Sequence, residues 1–145
     1  MNLVAKEEAM NTPEIVLGKF RVNNIPALVL FDTGASHSFI SKRFVSKHNF
    51  STLPLENSMT IKSPGVQQTT QEYCKNVTIE VIDLVFWENL IVIESNTVDI
   101  ILGMDLLNTN KGFIDCFNRT VTLTHHQGKR VIVAALRREN QAKQG

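Results

Sequence analysis

One stretch, residues 27–40, constrains the fold more than any other part of the chain. Its apolar run over residues 27–31 ends abruptly at Asp32-Thr33-Gly34. A strand that is buried on both faces reads as an unbroken apolar run, so we expect an inner strand to carry Asp32 at its end. Gly34 permits a tight turn, and Thr33 supplies a short hydroxyl that can donate to a carbonyl. A carboxylate in that position is poorly solvated, and it is therefore costly unless it is paired or used.

The number of copies of this motif has a direct consequence. Hydrolysis by carboxyl groups alone needs two of them about one hydrogen bond apart, one ionised to take a proton from water and one protonated. The sequence contains a single Asp-Thr-Gly and no Asp-Ser-Gly. A working pair therefore requires a second copy of the chain, related by a two-fold axis, to bring its own Asp32.

A second motif lies far downstream, where residues 98–107 read V-D-I-I-L-G-M-D-L-L. An Asp-Thr-Gly alone recurs by chance in many loops, but its combination with I-L-G-M-D at this separation is specific. Residues 31–41 together with this segment resemble the retropepsins, and more narrowly the aspartic proteases of gypsy-type LTR retrotransposons. The resemblance covers residues 14–124, and the wording D-T-G-A-S-H-S-F-I favours the retrotransposon branch.

The resemblance implies an all-β fold, a small closed retropepsin-like barrel with a flap hairpin and one or two short helices, active as a homodimer. It implies an aspartic endopeptidase that acts on a polypeptide, usually the polyprotein from which such a domain is released. No cofactor and no metal is expected. The resemblance assigns catalytic roles to Asp32, Thr33 and Gly34, substrate binding to Ala35, Ser36, Pro64, Gly65 and Val66, and structural support to Leu102 and Gly103.

The sequence departs from the retroviral pattern at one pair of positions. Retroviral enzymes usually have an acidic residue two positions after the motif's Gly and an Arg directly after the Gly of the second motif, and the two form an ion pair. Ser36 and Met104 occupy these positions here. Because both charges are absent together, no buried charge is left without a partner. We expect Asp105 to accept hydrogen bonds locally instead.

The composition is that of an ordinary globular chain. The 145 residues suit one domain, 43% are hydrophobic and 20% charged, and a formal charge of +1 disfavours a dedicated nucleic-acid binder. No apolar run is long enough to span a bilayer, and residues 1–11 carry charges where a signal peptide needs its apolar region. We therefore expect a cytoplasmic protein without a membrane partner, with Cys74 and Cys116 as reduced, partly buried thiols. The expected division is a flexible N-terminal arm at 1–13, the protease-like domain at 14–136 and a polar tail at 137–145.

Apolar alternation and turn residues predict the elements. Ile15–Val22 and the segment after Pro26 form a hairpin around Asn23-Asn24 that leads into Asp32. A strand at 53–62, a Ser-Pro-Gly turn at 63–65 and a polar arm at 67–73 predict the flap. Further strands are expected at 77–82, 85–87, 90–93, 113–116, 121–124 and 131–136, turns at Asp83 or Glu88-Asn89, and a short helix or loop over 38–48.

Histidines are not needed by this chemistry. His125-His126 has no Cys or acidic residue at ligand spacing, which favours a solvated loop pair over a metal site. His37 lies beside the Asp-Thr-Gly motif and is expected as a polar loop side chain that can line the cleft.

Two other functions stay open. A host-recruited or degenerate copy keeps the fold and serves as a dimerisation or binding module, with Asp32 merely retained. Nucleic-acid binding through Lys129-Arg130 and Arg137-Arg138 is disfavoured, because acidic residues balance these charges and no zinc knuckle or aromatic platform is present.

Overall fold

The computed structural model describes residues 15–63 and 66–136. The arm predicted at 1–13, the tail predicted at 137–145 and the predicted flap-tip residues Pro64 and Gly65 lie outside the described residues. Strands dominate the described part, so the predicted all-β class is confirmed. In chain order the elements are β1 (Ile15–Val22), β2 (Ile25–Asp32), β3 (Phe39–Ser41), α1 (Lys42–His48), β4 (Leu53–Ser63), β5 (Val66–Val81), β6 (Leu84–Ile93), β7 (Ile100–Leu102), α2 (Met104–Thr109), β8 (Phe113–Asp115), β9 (Thr120–Thr124) and β10 (Arg130–Ala134).

The strand pairings of the larger sheet close into a ring. Its order is β1-β2-β7-β3-β6-β5, and β5 pairs again with β1 at Arg21↔Glu80 and Val22↔Ile79. β4 continues the sheet outside this ring by pairing with β5. β10, β9 and β8 form a separate antiparallel sheet. The ring matters for the site because β2, which ends at Asp32, has a strand on each side.

β2 is an inner strand, as its apolar run predicts. It pairs antiparallel with β1 and parallel with β7, and its residues Val29 and Phe31 are fully buried. The turn between β1 and β2 consists of Asn23 and Asn24, both at positive φ, 49° and 67°. Such a two-residue turn matches the right-handed twist of the flanking strands, and Asn tolerates the left-handed conformation. The predicted hairpin leading into Asp32 is therefore confirmed.

The segment over residues 38–48 differs from expectation in its first part. Phe39–Ser41 is strand β3, which pairs with β6 on one side and β7 on the other. The helix begins at Lys42, where the Ser41 Oγ accepts a hydrogen bond of 3.1 Å from the Phe44 N–H and caps it. Two consecutive apolar residues fit either a helix or an inner strand, and here the neighbouring strand edges decide between them.

The hairpin arm β5 and the strand β6 are longer than the alternation predicts. β5 includes the polar residues 67–73, none of which is buried, so this part of the strand has no apolar alternation to reveal it. β6 runs without interruption through Glu88 and Asn89, so the turn expected there is wrong. The other expected position is right, since Ile82 and Asp83 form the turn between β5 and β6.

Two groups of buried side chains stabilise the described fold. The larger group includes residues of the ring, of α2 and of the small sheet, and the side chains of Leu107 in α2 and Leu123 in β9 both lie against Gly112. The smaller group lies beside the Asp-Thr-Gly motif and comprises Ala35, Phe39, Ile61, Ile91, Ile93 and Ile101. Because the second group includes a residue of the motif itself, packing and site geometry are linked.

The two cysteines differ in environment. No disulfide joins them in the described structure. Cys74 is buried, whereas Cys116 is exposed, so the expectation that both thiols are partly buried is wrong for Cys116. Burial, together with the negative charge of Glu72, raises the pKa of the Cys74 thiol to about 11. Cys74 is therefore a poor nucleophile at neutral pH.

Within residues 15–63 and 66–136, no helix has both the length and the apolar character required to cross a bilayer.

Leu123 tests the joint between the two sheets. We expect Leu123→Ala to lower the free energy of unfolding by about 2–5 kcal/mol, because it removes a fully buried side chain and leaves a cavity. Ile132→Ala on the adjoining strand, where the side chain is 59% exposed, is the matched control and should cost less than about 1 kcal/mol. Chemical denaturation of both variants at one protein concentration measures the difference, and equal losses would contradict this packing.

Candidate active site

Asp32 is the last residue of β2, and its side chain is nearly buried, with 6% of its surface exposed. The N–H of Gly34 donates to Asp32 Oδ1 at 2.7 Å, and the N–H of Ala35 donates to the Asp32 carbonyl at 3.2 Å. These two bonds close a tight turn directly after the strand. The carboxyl group is thereby held in one orientation at the mouth of the ring.

Opposing effects set the proton affinity of Asp32. Burial raises the pKa of its carboxyl group above the ordinary value of 3.8, and the hydrogen bond from Gly34 acts in the lowering direction. Burial dominates because desolvation penalises the charged form more than one backbone N–H compensates. The group thus keeps its proton more readily than an exposed aspartate does, which suits one member of a carboxyl pair.

The residues that follow Asp32 differ in how deeply they are buried. Thr33 and Gly34 are half-buried, and Ala35 is fully buried within the smaller apolar group. Ser36 and His37 are exposed, and Ser36 Oγ lies 2.9 Å from His37 Nδ1. Of the predicted loop residues, Thr33, Gly34 and Ser36 are therefore at least partly accessible, whereas the side chain of Ala35 is not.

The second motif lies directly beside the first. β7 pairs with β2, with Phe31 opposite Leu102, so the ends of the two motifs are adjacent. A Cβ at Gly103 would collide with the carbonyl oxygens of His37 and Ala35, the latter at 2.5 Å. The Met104 N–H donates to the Ala35 carbonyl at 2.7 Å. Only glycine permits this approach between the two backbones.

Asp105 accepts hydrogen bonds, as predicted from the absence of the retroviral ion pair. Its Oδ1 accepts from Ser38 Oγ at 2.6 Å and from the Leu106 N–H at 2.8 Å, and its Oδ2 accepts from the Ser38 N–H at 3.0 Å. Ser38 itself is fully buried. The sequence analysis did not identify Ser38, because a serine reads as a loop residue until its partner 67 positions away is known.

The β4–β5 hairpin occupies the place of the predicted flap. Its last described backbone pair joins Ser63 to Val66, while Pro64 and Gly65 lie outside the described residues. Side chains tie its second arm to the end of β6. Thr70 Oγ1 donates to the Val92 carbonyl at 2.6 Å, and the Gln68 amide exchanges hydrogen bonds with the Glu94 backbone at 2.9 and 3.3 Å. These polar residues explain why the arm needs no apolar pattern.

The structure corrects the expectation of a solvated histidine pair at residues 125–126. Among the described residues, no group of three His, Cys, Asp or Glu side chains is placed to hold a metal ion. His125, however, is buried rather than solvated, and its ring packs edge-on against Phe86 at 5.5 Å. Its Nδ1 lies 3.3 Å from the Gln127 N–H, and its Nε2 lies 3.1 Å from the Val85 carbonyl. These contacts give His125 a structural role that its sequence context does not reveal.

Glu88 is a second residue that sequence reasoning missed. It was expected in a turn, but it lies within β6 and is half-buried. Burial, and to a smaller extent the negative charge of Asp105, raises the pKa of its carboxyl group to about 6, although the hydrogen bond from the Asn89 N–H acts in the opposite direction. The carboxyl group of Glu88 therefore lies close enough to Asp105 for their negative charges to repel each other.

Both the sequence and the fold are similar to those of known aspartyl proteases or protease-like domains. Residues 1–129 match the sequence model of a family described as retroviral aspartyl protease. The fold is similar to the retroviral protease-like domain of Ddi1 from Leishmania major, with a TM-score of 0.61 and 20% identity, over 87% of this chain and 97% of that one. It is also similar to EIAV protease in complex with the inhibitor HBY-793, with a TM-score of 0.51 and 22% identity, over 66% of this chain and 88% of that one. No curated protein matches the sequence.

Glu88 predicts a pH dependence of stability. An acid whose pKa is higher in the folded protein stabilises the fold at low pH, and that contribution is lost as pH rises from about 4.5 to about 6. We expect Glu88→Gln to raise the free energy of unfolding by about 1 kcal/mol above pH 6, a value reduced for solvent screening, and to change little at pH 4. Glu56→Gln, at an exposed position, should leave the profile unchanged. Denaturation from pH 4 to 8 measures this, and a constant difference across that range would contradict it.

Proposed function

The chain belongs to the retroviral aspartyl protease family, and on that premise we propose that it is an aspartic endopeptidase that hydrolyses peptide bonds as a homodimer. One observation carries the proposal. The single Asp-Thr-Gly places a nearly buried carboxyl group of raised pKa at the end of an inner strand, fixed by the Gly34 N–H. A carboxyl group in this state suits a shared-proton pair but forms only half of one.

The proposed dyad consists of Asp32 from each of two chains, with one water between them. The ionised carboxylate takes a proton from the water, whose oxygen attacks the peptide carbonyl carbon, while the protonated carboxyl group donates to the carbonyl oxygen. The tetrahedral intermediate then breaks its C–N bond as the amide nitrogen takes up a proton, and no acyl-enzyme forms. Because the carboxyl groups interact strongly, their two titration steps belong to the pair and not to either residue.

Neighbouring residues take supporting parts in this proposal. Thr33 and Gly34 hold the dyad, and Leu102 and Gly103 support the loop from the second motif, consistent with the close approach at Gly103. An extended peptide would lie as an added strand between the loop and the flap. Its binding residues would be Ala35 and Ser36 on the loop and Pro64, Gly65 and Val66 at the flap tip.

The apolar surroundings of Ala35 indicate the side chains that such a peptide carries. The smaller buried group continues into side chains that are only partly buried, namely Leu30, Leu55, Met59, Tyr73 and Val98. Apolar substrate side chains next to the cleaved bond would bury surface against them. Within the wider family, the sequence of the Asp-Thr-Gly motif and the residues after it resembles that of gypsy-type retrotransposons. We therefore propose a cytoplasmic polyprotein as the substrate.

A catalytically silent, host-recruited dimerisation module is the second candidate. It is favoured by the similarity in fold to the protease-like domain of a Leishmania protein. This chain matches that domain over 97% of the domain's length. The two candidates differ in whether Asp32 does chemistry.

Substitution of Asp32 separates them. We expect Asp32→Asn to fold, because the amide oxygen can still accept from the Gly34 N–H, and to lose peptidase activity by about 10³-fold or more. Asp83→Asn, at an exposed turn, is the matched control and should retain full activity. Cleavage of a peptide library by the purified full chain, followed by mass spectrometry, provides the measurement. Undiminished activity in Asp32→Asn would reject the mechanism.

Subunit mixing tests the shared dyad. If each chain contributes one Asp32, an equal mixture of wild-type and Asp32→Asn chains should retain about one quarter of the activity of wild type alone, because only wild-type pairs have both catalytic aspartates. The mixture is assayed at fixed total chain concentration after exchange of subunits. Activity at half of the wild-type value, with no loss of specific activity on dilution, would indicate that one chain suffices.

A further inference from the structure

We propose that Ser38 and Asp105 are positioning residues that hold the Asp32 loop in its reactive geometry. The proposal rests on the proposed function and assigns roles to two residues outside the catalytic motif. We call the hydrogen-bonded group of Ser38, Gly103 and Asp105 the Ser38 clasp.

Ser38 donates two hydrogen bonds to the carboxylate of Asp105. Its Oγ donates to Asp105 Oδ1 at 2.6 Å, and its backbone N–H donates to Asp105 Oδ2 at 3.0 Å. The shorter distance is in the range of a charge-assisted O–H···O⁻ bond. Two donors from one residue to two oxygens of another fix both distance and angle, as a single bond does not.

The same hydroxyl also accepts a hydrogen bond. The Gly103 N–H donates to Ser38 Oγ at 3.0 Å, so the hydroxyl hydrogen has to point toward Asp105. Donors and acceptors therefore form a continuous chain from Gly103 through Ser38 to Asp105, and the Leu106 N–H completes it. Among the described residues, no fully buried side-chain polar atom lacks a partner, and this network accounts for the hydroxyl of fully buried Ser38.

The clasp lies at the far end of the catalytic loop. The loop leaves β2 at Asp32, where Gly34 and Ala35 fix its first turn, and re-enters the sheet directly after Ser38 at β3. Between these points, the Met104 N–H holds the Ala35 carbonyl at 2.7 Å. With both ends and the middle attached, the loop has little freedom to move the carboxyl group.

Loss of the Ser38 clasp should affect the rate of the chemical step more than it affects substrate binding. A displacement of about 1 Å at a reacting group costs about 10²-fold in rate. Loss of the clasp leaves the exposed side chains of Ser36 and His37 free to make their contacts, whereas the orientation of Asp32 relative to the second chain becomes less defined. The expected signature is a lower kcat with KM nearly unchanged.

Kinetics of three full-chain variants test the inference. Ser38→Ala removes the hydroxyl, and Asp105→Asn keeps one oxygen acceptor but loses the second. Ser41→Ala is the control, because Ser41 is also a buried serine whose Oγ accepts a backbone hydrogen bond, but it caps α1 and lies outside the loop. We expect kcat to fall about 10–100-fold in Ser38→Ala and less in Asp105→Asn, with KM within about threefold of wild type. We expect Ser41→Ala to lose stability but keep its kcat.

A readout without substrate accompanies the kinetics. The Gly34 amide, which donates to Asp32, should exchange its hydrogen about tenfold faster or more in Ser38→Ala than in Ser41→Ala at equal global stability. Equal kcat and equal Gly34 exchange in these two variants would overturn the positioning role. A wild-type chain that cleaves no peptide would overturn the proposed function alone, because the exchange comparison does not depend on activity.

Discussion

The structure depends on a carboxyl group that is placed where water solvates it poorly. Asp32 ends a strand with neighbours on both sides, and burial raises the pKa of its carboxyl group more than the Gly34 N–H lowers it. Such a group is unfavourable in an isolated chain. In the proposed dimer, a second carboxyl group that shares its proton would turn this cost into function.

The two sequence motifs act as one structural unit because their backbones touch. Gly103 lies against the carbonyl oxygens of His37 and Ala35, and Ser38 joins the first motif to Asp105 of the second. A retroviral-type ion pair would bury two charges at this joint. Here, within the described part of the chain, the carboxylate of Asp105 has no cationic partner at this joint, and three hydrogen-bond donors from Ser38 and Leu106 stabilise it instead.

Sequence reasoning predicts the elements that have a local signal. The apolar run before Asp32 and the Asn23-Asn24 turn are local signals, and both are found where expected. It fails where a distant partner decides the outcome. Phe39–Ser41 forms a strand because β6 and β7 pair with it on either side. Ser38 can be buried because its hydroxyl donates a hydrogen bond to Asp105. Of the site, the motif residues are predictable, whereas the polar residues that support them are not.

Two Asp32 side chains from separate molecules that share one proton have a characteristic titration, and carboxyl titration is therefore the decisive measurement. Carbon-13 NMR of the aspartate carboxyl groups, with Asp32→Asn used to assign the signal, follows protonation at known oligomeric mass. We expect a dimer in which Asp32 titrates in two separated steps, which merge into one when dilution gives monomers. A single step at every concentration, or a monomeric mass in an active sample, would contradict it.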